Sequence, residues 1–256
     1  MGLMSNSFNE LLLRGRTITS ESSVVIAGLA QNLSSNYKNI RRIIGDISSL
    51  FKSYSVILYE NDSSDNSPAL LNQWKNEDQN FNYISERLNL SHNNKTVNLD
   101  RIQHLSSFRN KYMEWIATSS CSTSDFLIVL DTDITDIYLN GLISSFGYGE
   151  IWNCITSNGL SNYKDQVVYY DIESLAIGNV VQNDHVRMPF PITQGLIPIR
   201  SGFGGLAIYR MCNVVNKRYG LHTINHKGQD IPVVEHIVFN EGLHFIFINP
   251  YQVVLR

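Results

Sequence analysis

The stretch "FLIVLDTDITD", residues 126–136, drives five apolar residues straight into three acids, Asp131, Asp133 and Asp136. A short apolar run with a polar end reads as a buried β-strand. Carboxylates spaced like Asp131 and Asp133 at one strand end repel each other unless a cation joins them. Their hard oxygen ligands suit magnesium or manganese. Asp136, further along, reads as solvated.

Upstream, the same form repeats. "VVIAGLAQN" (24–32) is a short apolar run with a polar end, and "SSNYKNIRRIIGDISSLFKSY" (34–54) then places Ile40, Ile43, Ile44, Ile47, Leu50 and Phe51 on one helical stripe. Ser34 or Ser35 is the expected N-cap. "SVILYENDSSDNS" (55–67) is a second strand with an acidic end, and Ser67 followed by Pro68 opens a helix over "SPALLNQWKNE" (67–77). A third strand is expected near "NYISERL" (82–88). In "LDRIQHLSSFRNKYMEWIATS" (99–119), Ile102, Leu105, Tyr112 and Ile116 form the apolar stripe while Arg101 and Arg109 point elsewhere.

Apolar strands separated by amphipathic helices predict an α/β fold: one domain with a mixed, mainly parallel sheet flanked by helices. Beyond Asp136, "IWNCITSNG" (151–159), "QVVYYDIESLAI" (166–177), "GFGGLAIYR" (202–210) and "HFIFINPYQVV" (244–254) read as strands, and "VVEHIVFNEGL" (233–243) as a helix. Residues 1–23 read as an N-terminal extension. In open α/β sheets ligands bind beyond the carboxyl ends of the strands, and here those ends are "AQN", "YEND" and "LDTD".

Composition narrows the function classes. The 256 residues are 43% hydrophobic and 17% charged, with a formal net charge of −3, which gives no broad basic field for nucleic acid. Cys121, Cys154 and Cys212 are odd in number and lack CxxC spacing, so neither a disulfide framework nor a zinc cage is expected. No stretch approaches the roughly 20 apolar residues of a membrane span, and the opening "LLL" is too short for a signal-peptide core. Sequons stand at Asn32, Asn61, Asn89 and Asn94; the first two fall at the expected site, where a glycan would obstruct binding, which favours a cytoplasmic address.

The strand with DxD in "FLIVLDTD", together with "VVIAGLAQN", "ILYENDSSDNS" and "RIQHLSSFRN", resembles the GT-A (Rossmann-like) glycosyltransferases. "SGFGGLAIY" and "VVEHIVFNEGL" resemble that fold's acceptor side. The spacing is most similar to the fungal capsule-type α-mannosyltransferases and related viral and bacterial transferases. The resemblance implies a single GT-A domain over 24–256, with a nucleotide-sugar-binding half at 24–136 and an acceptor-side half at 137–256. It implies transfer of a hexose from a UDP- or GDP-sugar donor to a glycan or other hydroxyl acceptor, with Mn2+ or Mg2+ as cofactor.

Carried over by position, Glu60 or Asp62 meets the base or ribose and Arg109 approaches the nucleotide or its phosphates. Asp131 and Asp133 hold the metal and the donor. Gly204 and Gly205 let backbone approach the sugar or acceptor. Glu235 is the candidate general base or acceptor-orienting carboxylate, and His236 or His244 a supplementary metal or phosphate contact. The sequence ends at Arg256, so any family feature beyond it is missing and the third metal ligand is open. Asp171, in "YYDIESLA", is a second candidate catalytic carboxylate, against the plainer reading of a strand-end acid. Glu235 and His236 are neighbours on a helix, so at most one is expected to face the site. His92, His104, His185, His222 and His226 have no partner at metal-ligand spacing.

Three other functions compete. "LIVLDTDIT" also fits the strand plus DxDxT of haloacid-dehalogenase-type phosphohydrolases, with Asp131 as nucleophile. That chemistry begins near the N-terminus and needs a downstream lysine and paired acids, which are not evident. Nucleotidyl transfer expects an early Gly-rich loop, absent after "VVIAGLA". A non-catalytic calcium- or carbohydrate-binding module explains the two aspartates but not the acidic end of the second strand.

Overall fold

The structure is a computed structural model describing residues 7–90, 98–178, 180–181, 188–192, 195–226 and 229–256, with backbone alone at 180–181, 224–226 and 229–231. The sequon at Asn94, His92 and His185 lie outside the described residues, as does the side chain of His226.

The first half follows the expected alternation: α1 (Phe8–Glu21), β1 (Ser23–Ala30), α2 (Tyr37–Ser48), β2 (Ser53–Asn61), α3 (Ser67–Glu77), β3 (Phe81–Glu86), α4 (Leu99–Thr118) and β4 (Phe126–Asp131). The second half runs β5 (Asp136–Ile137), α5 (Leu139–Gly147), β6 (Cys154–Tyr163), β7 (Gln166–Tyr169), β8 (Ala176–Ile177), β9 (Val180–Val181), β10 (Ile197–Ile199) and β11 (Leu206–Arg210). It closes with α6 (Met211–Val214), β12 (His222–His226), β13 (Gln229–Val233), α7 (Glu235–Asn240) and β14 (Ile246–Leu255).

The main sheet has the order β10-β14-β6-β11-β4-β1-β2-β3, with β5 on β14 and β7 on β6. Strands β3, β2, β1 and β4 are parallel neighbours, β11 runs antiparallel between β4 and β6, and β6 and β14 are again parallel. Because strand side chains alternate, each strand feeds two cores. Val24, Ile26, Val56 and Leu58 meet the α2 stripe Ile40, Ile43, Ile44 and Ile47 with Leu142 and Phe146 of α5. Val25, Ala27, Ile57 and Tyr59 meet Tyr112, Met113 and Ile116 of α4 on the opposite face. Burying each such side chain contributes roughly 1.5–3 kcal/mol, which is what fixes the helices to the sheet.

Several local expectations change. The cap of α2 is Asn36, not Ser34 or Ser35, and its side chain makes no cap hydrogen bond because it bonds elsewhere in the fold. Ser67 lies inside α3, whose cap is Asn66; its hydroxyl accepts from the Leu33 backbone N–H at 2.6 Å. The segment read as one strand over 166–177 breaks after Tyr169 into a short helical turn, Ile172–Ser174, before β8. Helices α1 and α5, β10 and the β12–β13 hairpin were not expected. Among the described residues, no helix is long and apolar enough to cross a membrane.

Candidate active site

Register brings the three polar strand ends together: Leu29 lies opposite Asp131 across β1–β4, and Ala30 opposite Glu60 across β1–β2. The loop after β4 is then pinned from β1 and α2. Thr132 Oγ1 donates to the Leu29 carbonyl at 2.7 Å, and Asn36 Nδ2 donates to the carbonyls of Thr132 and Ile134 at 2.8 and 2.9 Å. Asn39 Nδ2 adds a bond to the Thr135 carbonyl at 2.8 Å. Over these ends opens a cleft of about 910 Å³. Gln31, Asn32 and Asn61 line one side, Asp131 and Asp133 the middle, and Tyr170, Asp171, Phe203, Glu235 and His236 the other.

Burial pushes the Asp131 carboxyl up to about 7, with Asp133 and Asp171 adding to the rise and Arg109 and Arg256 opposing it. Its Oδ1 lies 3.6 Å from Arg109 Nη2. Asp133 is paired with Arg256, which also lies over the Tyr170 ring. Two carboxylates of this kind fit a hard divalent cation. Among the described residues, no group of three or more His, Cys, Asp or Glu side chains comes together as a metal cage.

Arg109 was expected to point away from the apolar stripe of α4. It lies instead on the buried face with Ile102, Ser106, Tyr112, Met113 and Ile116. Its Nε donates to Glu235 Oε1 at 3.0 Å, its Nη1 to Tyr112 Oη at 3.3 Å, and its guanidinium sits 5.5 Å from the Phe203 ring and 5.6 Å from that of Tyr219. Arg101, expected to point away from the apolar stripe, is exposed and lines the cleft.

Glu235 and His236 both line the cleft, against the expectation that only one would. They are the first two residues of α7. The His236 ring lies flat on Phe203, centroids 3.9 Å apart, and edge-on to Tyr219 at 5.5 Å. Burial, helped by Arg109, drives its pKa well below the ordinary value, so the imidazole is neutral.

Asp171 lies in the cleft because the chain turns there. Its Oδ2 accepts from Gly204 N–H at 2.8 Å and from the Ser174 hydroxyl. Burial lifts its carboxyl to about 6 while those two hydrogen bonds oppose the rise. Gly204 and Gly205 have φ of +64° and +80°, and a Cβ on either would meet the Ser157 carbonyl oxygen at 2.2 Å or Tyr170 Oη at 1.8 Å. Their conformation therefore answers to packing of the protein itself, and neither lines the cleft.

Three sequence candidates are engaged elsewhere. Glu60 is buried, with Oε1 accepting from Ser63 N–H at 2.9 Å and Oε2 from Ser85. Asp62 accepts from the backbone N–H groups of Leu88, Asn89 and Leu90 at 2.7, 2.8 and 3.3 Å. A little burial works against its charge, but these bonds and the Asn61 amide hold its carboxyl below the usual range. His244 is exposed before the start of β14, whose far end carries Arg256 to Asp133. At about 3.3 Å per strand residue, that separates His244 from the aspartates by on the order of 30 Å, too far to share a metal.

Sequence reasoning missed Tyr170, Arg256, Phe203, Gln31, Asn36 and Asn39. Tyr170 followed the strand pattern of its neighbours, and Arg256 had no motif around it. The Asn36–Asn39 pair at the start of α2 was a readable signal, since two amides one turn apart share a face.

The strand order and the acidic end of β4 make this broadly a Rossmann-like, GT-A-like α/β domain. No family model matches the chain, and no curated protein matches it in sequence. Solved structures do share the fold. The mannosyltransferase PcManGT from Pyrobaculum calidifontis, in complex with GDP-Man and Mn2+, aligns at a TM-score of 0.51 and 10% identity over 97% of this chain and 65% of that one. S. aureus TarS 1-349 in complex with UDP aligns at 0.51 and 10% identity, over 91% of this chain and 60% of that one. The chain thus spans 60–65% of the length of these two solved chains.

Proposed function

We propose that this protein is a metal-dependent glycosyltransferase that moves a hexose from a nucleoside-diphosphate sugar to a glycan or other hydroxyl acceptor. The observation that carries the reading is Asp131, a partly buried carboxylate at the carboxyl end of β4, in a cleft shared with Asp133, Arg109 and Arg256. Asp131 and Asp133 would hold Mn2+ or Mg2+, which when bound supplies positive charge to the leaving diphosphate. Arg109 and Arg256 place further cationic charge beside the same aspartates, and arginine forks suit phosphate oxygens. Gln31, Asn32 and Asn61 offer polar groups for the nucleoside, and Asp171, Glu235 and His236 face the acceptor side. The fold shared with a mannosyltransferase solved with GDP-Man and Mn2+ supports the same reading.

Asn61 is buried, and both it and Asn32 line the cleft, which argues against glycans at these two sequons. The cationic side chains lining the cleft are arginines, with no lysine among the described residues there, which ranks the dehalogenase-type reading second.

The test is a thermal-shift and calorimetric titration with UDP and GDP, each with and without Mn2+. Ligands that bind only the folded state raise the apparent melting point by mass action. Stabilisation by one diphosphate that requires the metal is expected, together with release of that diphosphate from its sugar ester. Indifference to both nucleotides with metal present, or phosphomonoester hydrolysis in their place, rejects the proposal.

A further inference from the structure

The geometry points to Asp171 as the group that takes the proton from the incoming hydroxyl. This rests on the transferase reading above and moves to Asp171 the part that the sequence suggested for Glu235.

Asp171 follows β7 and opens the helical turn Ile172–Ser174, where it is partly exposed and lines the cleft. Its two oxygens are used differently. Oδ2 accepts from Gly204 N–H at 2.8 Å and from the Ser174 hydroxyl, so the carboxylate is held from two separate segments of the chain. Oδ1 has no hydrogen-bond partner among the described residues. A residue kept only to make the turn needs one oxygen. Asparagine would accept the same two bonds through its amide oxygen and spare the cleft a third negative charge. That charge has a cost, because Asp171 pushes up the Asp131 carboxyl and Glu235 pushes up that of Asp171. Among the described residues Asp171 does not join Asp131 and Asp133 in a metal cage, so a shared cation is not what keeps it a carboxylate.

An acceptor hydroxyl accounts for both features, since it donates to the unpartnered oxygen and gives up a proton to the charge. Burial lifts the Asp171 carboxyl to about 6 against its two hydrogen bonds, which leaves it ionised at neutral pH yet a stronger base than an ordinary carboxylate. The other bases on that side are less available. Glu235 accepts from the buried Arg109, and both His236 nitrogens are enclosed.

In the step this implies, the acceptor hydroxyl gives its proton to Asp171 Oδ1 as its oxygen bonds to the anomeric carbon. The bond from that carbon to the diphosphate oxygen breaks, and its electron pair leaves with the nucleoside diphosphate. The carboxylic acid then returns its proton to water as product departs. Balance requires only the donor and the alcohol.

The test uses the full chain, with UDP-glucose, UDP-N-acetylglucosamine and GDP-mannose as donors, Mn2+, and water and methyl α-mannoside as acceptor probes. Diphosphate release is followed against pH for wild type, Asp171→Asn and Asp171→Ala. Expected for Asp171→Asn is an equal or higher melting temperature, Mn2+ and nucleoside-diphosphate affinities within about twofold of wild type, and kcat lower by about 100-fold or more at unchanged donor KM, the range of general-base loss. The fall in wild-type rate on the acid side should vanish in the variant. Asp171→Ala gives the same readout should the amide fold poorly. A kcat within threefold of wild type in either variant, a loss that follows weakened Mn2+ binding, or a glycosyl ester on Asp171 in the mass spectrum of the wild type overturns the assignment and leaves the transferase reading standing. Wild-type protein that binds neither diphosphate with Mn2+, or releases none from any donor, overturns both.

Discussion

Arg109 Nε donates to Glu235 Oε1 at 3.0 Å, joining the middle of α4 to the first residue of α7 with both side chains 6% exposed. The pair lies in the wall of the cleft and holds the guanidinium where its Nη2 is 3.6 Å from Asp131. Removing one partner of such a pair leaves a buried charge uncompensated. Glu235→Ala is therefore expected to destabilise the protein by roughly 3–5 kcal/mol in urea unfolding. Glu235→Gln, which still offers an oxygen to Nε, should cost less. An Arg109→Leu, Glu235→Leu double variant should be markedly more stable than the two single losses added together. Additive losses would mean the two side chains act independently.

Asp133 provides the contrast. Its pair with Arg256 is half exposed, at 54% and 47%, and exposed pairs contribute only about 0–1 kcal/mol. Asp133→Ala should leave unfolding nearly unchanged while lowering Mn2+-dependent UDP or GDP affinity by at least about tenfold, equivalent to ~1.4 kcal/mol. Chelating the metal should weaken diphosphate binding in wild type and add little to the loss in the variant. Calorimetric titration with and without EDTA reads both arms. A variant that keeps wild-type, EDTA-sensitive affinity places the metal elsewhere.

The first half of the fold was legible because its signals are periodic and local. The isoleucine stripe of α2 and the apolar runs of β1, β2 and β4 announce themselves, and parallel pairing then forces their polar ends together. Helix α5 was not legible for the opposite reason: Gly141 to Gly147 are all buried, so there is no polar face to mark a period. Helix α1 did carry a signal, the Ser7/Glu10 capping box, that hydropathy alone passes over. Asp131, Asp133, Asp171, Glu235 and His236, named from strand ends and resemblance, come together in one cleft. Glu60, Asp62 and His244 had the right residue type, but hydrogen bonds and strand length take them away from the cleft. Arg109 was named for the site yet assigned to the wrong helix face, because a charge at a stripe position reads as an exception until its partner on a distant helix is known.

Gly204 and Gly149 both have positive φ, at +64° and +69°, but differ in surroundings. A Cβ at Gly149 meets open space, so Gly149→Ala should cost only the backbone strain, about 1–2 kcal/mol. A Cβ at Gly204 strikes the Ser157 backbone oxygen, and the residue's N–H also holds Asp171. Gly204→Ala should therefore cost about 2–5 kcal/mol, adding strain to overpacking. On the proposed function, which puts Asp171 at the acceptor, it should also depress turnover more than nucleotide affinity. Chemical unfolding alongside diphosphate titration separates the two effects. Equal stability losses at Gly149 and Gly204 would show that crowding at Ser157 is relieved without consequence.

His236 makes stability depend on pH in a direction that can be worked out. In the unfolded chain its imidazole titrates near the ordinary value of about 6.5. In the fold, burial first and then the neighbouring Arg109 charge hold its pKa well below that value. Between the two values the unfolded state binds a proton that the native state refuses, so unfolding becomes easier as pH falls. Above about pH 7 the group is neutral in both states and contributes no slope. From about 6.5 downward it should remove up to about 1.4 kcal/mol of stability per pH unit until the folded pKa is reached. Carboxylates titrate at the lower end of this range, so wild type alone cannot isolate the effect. The difference between wild type and His236→Phe can, because the other groups are common to both. That difference should be flat from pH 8 to about 7 and then grow steadily in favour of the phenylalanine variant as pH drops toward about 5. Urea midpoints across this range read it directly. A difference that stays constant through pH 6 would show that the imidazole takes up its proton inside the fold, and with it that His236 is not held neutral beside Arg109.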